Sequence, residues 1–112
     1  MDSNEYYFEE NCFISEILNT PLDPDVSVAR VRVLPGESTR WHLLVGISER
    51  YLILEGSGLV QVGEGEPRGV IANDTVVIPQ GVKQRITNSG NCDLIFLAVC
   101  TPRFVRDQYL TL

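Results

Sequence analysis

GESTRWHLLVGISERYLILEG, residues 36–56, decides the fold. Its first half places Thr39 to Val45 in an alternating run, and Arg50 to Leu54 follows after the turn-forming Val45-Gly46-Ile47-Ser48. On a strand, residues two apart share a face, so His42 and Leu44 point one way, with Arg40 by the same parity. Trp41 and Leu43 point the other way, and on the next run Glu49, Tyr51 and Ile53 share a side. A histidine and a glutamate on neighbouring antiparallel strands near one hairpin converge within a few ångströms, which makes His42 and Glu49 a candidate acid/base or metal-ligating pair. His42 is the sole histidine of the chain. A lone histidine on an apolar strand is more often a hydrogen-bonded core residue than a ligand, so the pair alone is a weak signal.

Outward from this stretch the same grammar repeats: a short apolar run, then a turn. Val26 to Val33 alternates Ala29, Val31 and Val33 against Val28, Arg30 and Arg32, and Pro35-Gly36 suits a type II turn. Leu59 to Val62 follows Glu55-Gly56-Ser57-Gly58, read as a tight hairpin loop. Gly69 to Ala72, Thr75 to Ile78, Gln84 to Asn88 and Leu94 to Cys100 complete the set. The last of these is apolar on both faces and predicts cover on both sides, with Phe96 as core or cavity wall. Cys12 to Leu18 is compatible with a strand or a short helix. No segment holds a 3.6-residue apolar period over three turns. Eight or nine short strands predict two packed sheets or a closed barrel.

Composition narrows the function classes. The 112 residues fit one domain, and 44% hydrophobic residues are ordinary for a globular core. A net charge of −6, with Lys83 the only lysine and eight scattered arginines, argues against nucleic acid. No apolar run approaches the length of a membrane span, and the polar start has no secretory h-region. Three cysteines make no disulfide framework: Cys92 and Cys100 would lie about 26 Å apart along one strand. Reduced thiols and a cytoplasmic location are the expectation. A Ser-His or Cys-His nucleophile lacks any supporting spacing, and no glycine-rich phosphate loop sits between a strand and a helix.

The spacing itself carries more. From Gly36, five residues lead to His42, one more to Leu44, four more to Glu49 and six more to Gly56. This resembles the first cupin motif: glycine, His-x-His, Glu, glycine. NDTVVIPQGVKQRITN, residues 73–88, resembles the second, with Asn73 in place of glycine, Pro79-Gln80-Gly81, Gln84 in place of histidine, and Asn88. The resemblance covers Val26 to Thr101. It implies an all-β, cupin-type double-stranded β-barrel (jelly-roll) in a single domain, with residues 26–101 as barrel and 102–112 as tail. Residues 1–25 are expected to pack on the partner of a homodimer.

The departures define the site. Metal-bearing cupins hold a divalent cation with two histidines and the glutamate of the first motif and the histidine of the second. Here Leu44 ligates nothing and Gln84 offers only an amide oxygen. His42, Glu49 and Gln84 remain as candidate ligands for zinc, nickel, iron or manganese, held weakly or not at all. The competing expectation is an organic site in which His42 and Glu49 form a hydrogen-bonded, proton-shuttling catalytic pair. Gln84 then orients a ligand carbonyl or hydroxyl, and Arg40 and Tyr51 are candidate ligand contacts. Trp41 is expected between the sheets or at a dimer contact. The resemblance implies a small-molecule-binding cupin, with isomerase or lyase chemistry on a sugar-like or carboxylate metabolite. The alternatives are a non-catalytic ligand-binding or regulatory cupin, and a metal-dependent enzyme with the reduced ligand set.

Overall fold

The computed structural model describes residues 4–112, in eleven strands and a single 3₁₀ turn at Arg106–Gln108. Two antiparallel sheets face each other. One has six strands in the order β1 (Tyr6–Phe8), β2 (Cys12–Leu18), β3 (Ser27–Val33), β10 (Leu94–Thr101), β5 (Ser48–Glu55) and β8 (Thr75–Ile78). The other runs β11 (Tyr109–Thr111), β4 (His42–Leu44), β9 (Gln84–Asn88), β6 (Ser57–Val62) and β7 (Arg68–Ile71). This is the jelly-roll barrel expected from the motif spacing.

Alternation decides which side chains meet inside. Val31 and Val33 of β3, Ile53 of β5, Val60 of β6, Ile78 of β8, Ile86 of β9 and Phe96 of β10 form one buried cluster. Full burial of each such side chain contributes on the order of 2 kcal/mol, so this interior sets the pairing register. β10 lies between β3 and β5, with Phe96 opposite Val31 on one side and Ile53 on the other. That central position explains its apolar character on both faces. Asn88 closes the barrel at the far end: its Nδ2 donates to the carbonyls of Val33 (2.9 Å) and Cys92 (2.7 Å).

Two local expectations are corrected. Glu55 to Gly58 is not a hairpin loop, because β5 and β6 belong to different sheets and the segment is a corner between them. Gly56 makes that corner with φ +85°, and a Cβ there would stand 2.6 Å from the Asp93 carbonyl oxygen. For the same reason β4 and β5 are not neighbours in one sheet. The chain crosses the sandwich between them through Val45, Gly46 and Ile47.

The segments outside the motif region are built into the sheets. Cys12–Leu18 is a strand rather than a helix, paired with β3, and β1 adds to its free edge. The tail supplies β11, which pairs with β4 so that Tyr109 lies opposite Leu44 and Thr111 opposite His42. Trp41 is on the outer face of the smaller sheet, half-buried under Lys83 (5.1 Å) and the guanidinium of Arg85 (4.8 Å). It therefore packs neither between the sheets nor in the interior.

Candidate functional site

A cavity, partly open to solvent, lies between the sheets at the end where β1, β2, β4, β5, β10 and β11 converge. His42 enters from the smaller sheet and Glu49 from the larger one. Both are buried, and both side chains line the cavity. They meet across the sandwich, not along a hairpin, and no hydrogen bond between them is present.

The imidazole is fixed through its backbone side. Nδ1 lies 2.7 Å from the Arg40 carbonyl oxygen, an acceptor, so Nδ1 carries the proton and Nε2 is left with its lone pair. Nε2 faces Glu10, whose Oε2 is 3.6 Å away, and the ring stacks on Tyr109 at 5.2 Å between centroids. Burial lowers the His42 pKa, which keeps the ring neutral around pH 7. Burial has the opposite effect on the carboxyls. Glu49 is pushed up to about 7, with His42 pulling back and Glu10 adding to the rise. Glu10 is also pushed up to about 7, chiefly by burial, with Tyr109 and Cys12 opposing. Two carboxyl groups with pKa values near 7 thus flank one neutral imidazole.

The remaining expected residues divide. Tyr51 lines the cavity and its hydroxyl donates to Gln84 Oε1, a bond that ties β5 to β9 across the interior. Gln84 is fully buried opposite His42 in register, outside the cavity lining, and its oxygen accepts from Tyr51. Arg40 lies before β4 begins; its side chain is exposed and outside the lining, and its contribution is the carbonyl that anchors His42. Strand parity did not extend to it because residues 40 and 41 are not in the strand. Phe96, Ala98 and Cys100 of β10 all face the cavity, which resolves the orientation of that strand.

Sequence reasoning missed Glu10, Phe8, Phe104 and Tyr109, all from outside the motif region. Glu10 lies in the turn between β1 and β2, where strand parity does not run, so no local pattern pointed to it.

As a cation site the constellation is poor. Leu44 stands on the cavity face beside His42, and Gln84 Oε1 accepts from Tyr51. Among the described residues no cluster of three or more His, Cys, Asp or Glu side chains is arranged to hold a metal ion. The donor set does not fit a tightly held divalent metal.

A double-sheet barrel enclosing a histidine-centred cavity is the class these features define. The Cupin domain family profile matches residues 29–100, and the chain belongs to the cupin family. It is 38% identical over 71 residues to the oxalate-binding protein of Thermotoga maritima, a match spanning 63% of this chain and 58% of that protein. It is 32% identical over 105 residues to the uncharacterized protein MJ1618 of Methanocaldococcus jannaschii, covering 92% of this chain and 83% of the relative. Among solved structures it resembles Pac13, a nucleoside dehydratase of Streptomyces, with a TM-score of 0.81, 18% identity, all of this chain and 88% of the other covered. At that identity the likeness concerns the fold. Among the described residues no helix is long and apolar enough to cross a membrane.

Proposed function

We propose that this cupin binds a small polar metabolite in the cavity and moves a proton on it, as an isomerase or lyase does, with His42 and Glu49 as the acid/base groups. The observation that supports this reading most is the state of the imidazole. Nδ1 is committed to a backbone carbonyl, so the neutral, buried ring presents a basic Nε2. Glu49 has one carboxylate oxygen, Oε1, buried without a hydrogen-bond partner, and a pKa near 7 that lets it donate or accept at neutral pH. A base and an acid entering from opposite sheets reach opposite sides of a ligand held between them. Nε2 can take a proton from a carbon beside a carbonyl while the Glu49 carboxyl protonates the oxygen, with return of the proton at the neighbouring carbon, or with a β-hydroxyl leaving as water on the Glu49 proton. The nucleoside dehydratase activity named for Pac13 belongs to the same reaction class.

The test is solvent deuterium incorporation into candidate aldoses, ketoses and nucleosides, followed by NMR. Exchange that falls by about 10²-fold or more in His42→Gln and in Glu49→Gln is expected. Exchange at the wild-type rate in either variant removes that residue from the reaction. Saturable binding with no exchange in any candidate favours a non-catalytic ligand-binding cupin.

A further inference from the structure

The wall of the cavity is acidic. Glu10, Glu16 and Glu49 reach it, and among the described residues no lysine or arginine does. Arg106 lies behind the lining: its guanidinium sits over the rings of Phe8 (5.0 Å) and Tyr109 (5.4 Å), bonds to exposed Glu9, and its charge partly offsets that of Glu10.

Glu10 is built into this position, although it precedes the residues 29–100 that match the family. After β1 the chain turns at Asn11 (φ 70°), whose N–H donates to the Phe8 carbonyl at 3.0 Å. The Glu10 carbonyl accepts from the Arg40 N–H at 3.1 Å, two residues before His42. This hydrogen bond thus ties the segment that carries Glu10 to the one whose carbonyl holds the imidazole. Glu10 is 8% exposed, and Glu49, also 8% exposed, has Oε1 unpartnered.

A ligand entering here meets a carboxyl oxygen, Glu49 Oε1, that needs a donor. A dianion such as oxalate would bring two negative charges against two carboxyl groups in a low-dielectric space with no lysine or arginine in its lining. A ligand with several hydroxyls supplies the donors without a charge. Phe8 and Phe104 add aromatic lining for the C–H side of a sugar ring. We propose that Glu10, together with Glu49, makes this cavity a receptor for an uncharged polyhydroxyl ligand and a barrier to small anions such as oxalate. This rests on the cavity being the ligand site, as proposed above, but not on any turnover there.

The sole histidine makes the test direct. With the full chain labelled at histidine, the His42 imidazole resonances are followed by NMR, and heats of binding by calorimetry, against oxalate, inorganic phosphate, glucose, uridine and ethylammonium. Glucose or uridine shifts His42 saturably, while oxalate binds at least about tenfold more weakly than the better of the two. Glu10→Gln, alone and with Glu49→Gln, narrows that gap by about tenfold or more, with the melting temperature confirming the fold. Oxalate saturating the wild-type cavity below about a millimolar overturns the proposal, and so does a His42 that responds to neither uncharged probe. A response to ethylammonium alone overturns it in favour of an organic cation. Because the readout is binding, uncharged probes that bind without proton exchange refute the acid/base reading and leave this one standing.

Discussion

His42 and Glu49 are separated by only six residues, yet they belong to opposite sheets and meet across the interior of the barrel. The intervening crossing is short because β4 has three residues and Gly46 turns the chain with φ +75°. Two groups facing each other across a cavity can act on the two sides of one ligand. Two groups paired along a hairpin would act on the same side.

Burial of these carboxyls has a consequence for stability. Glu49 and Glu10 both have folded pKa values near 7, above the ordinary 4.5 of the unfolded chain. Their contribution is fully present below about pH 4.5 and is lost as pH rises to about 7, because the unfolded chain ionises more readily there. His42 works the other way, since its folded pKa is lowered and protonation below pH 6.5 favours the unfolded chain. Glu49→Gln is expected to stabilise the protein by about 1–3 kcal/mol at pH 8 and by much less at pH 5. Urea unfolding at the two pH values measures this. An equal gain at both would mean that Glu49 ionises normally in the folded barrel.

The corner between β5 and β6 gives a sharper prediction on the fold. Gly56 holds φ +85°, and the Cβ of any other residue would approach the Asp93 carbonyl oxygen to 2.6 Å and the Leu94 Cα to 3.0 Å. Both contacts are backbone, so no side chain can swing away. Gly56→Ala is expected to cost about 2–4 kcal/mol, the sum of left-handed strain and steric displacement. Thermal unfolding reads the loss, and Gly69→Ala, where a Cβ meets open space, serves as the control. A change below about 1 kcal/mol at Gly56 would show that the corner relaxes freely.

The outer face of the larger sheet bears on assembly. Leu52 and Leu54 of β5 and Val77 of β8 are exposed there, with half-buried Leu97 opposite Leu52 in register. Apolar strand faces of this kind are commonly covered by a second copy. We expect a homodimer at micromolar concentration, converted to monomer by Leu52→Glu combined with Val77→Glu. Sedimentation of the wild-type chain as a monomer alone would refute it.

Much of the barrel was legible because alternation and turn chemistry are local. Thr75–Ile78 and Gln84–Asn88 have the bounds that their flanking Asn73-Asp74, Pro79-Gln80-Gly81 and Asn88-Ser89 imply. Sheet membership was not legible. A glycine corner such as Gly56 and a true hairpin look alike until the partner strand is known. The site was half legible for a related reason. His42, Glu49, Tyr51 and Gln84 follow from spacing, whereas Glu10 and Tyr109 reach the cavity only through pairings with β3 and β4 that join the chain ends to its middle. Arg40 shows the converse failure, since parity holds only where a strand continues.

The metal question can be settled by restoring the missing donors. Leu44 is buried on the cavity face two residues from His42, so an imidazole there would stand beside the existing one. Gln84 pairs with His42 in register, and a histidine at that position adds a third nitrogen while releasing the Tyr51 hydroxyl. With Glu49 opposite, the combined Leu44→His and Gln84→His protein would carry three imidazoles and a carboxylate. It is expected to bind zinc or nickel at least about 10²-fold more tightly than the wild-type chain. Competition against a chromogenic chelator measures both affinities, and a melting temperature raised by zinc in the variant only confirms binding to the folded barrel. The single Leu44→His protein guards against a fold disturbed by loss of the Tyr51–Gln84 bond. Should the wild-type chain already match the variant, the remnant His42, Glu49 and Gln84 set would be a competent metal site. The metal-independent acid/base reading would then give way to a metal-dependent one.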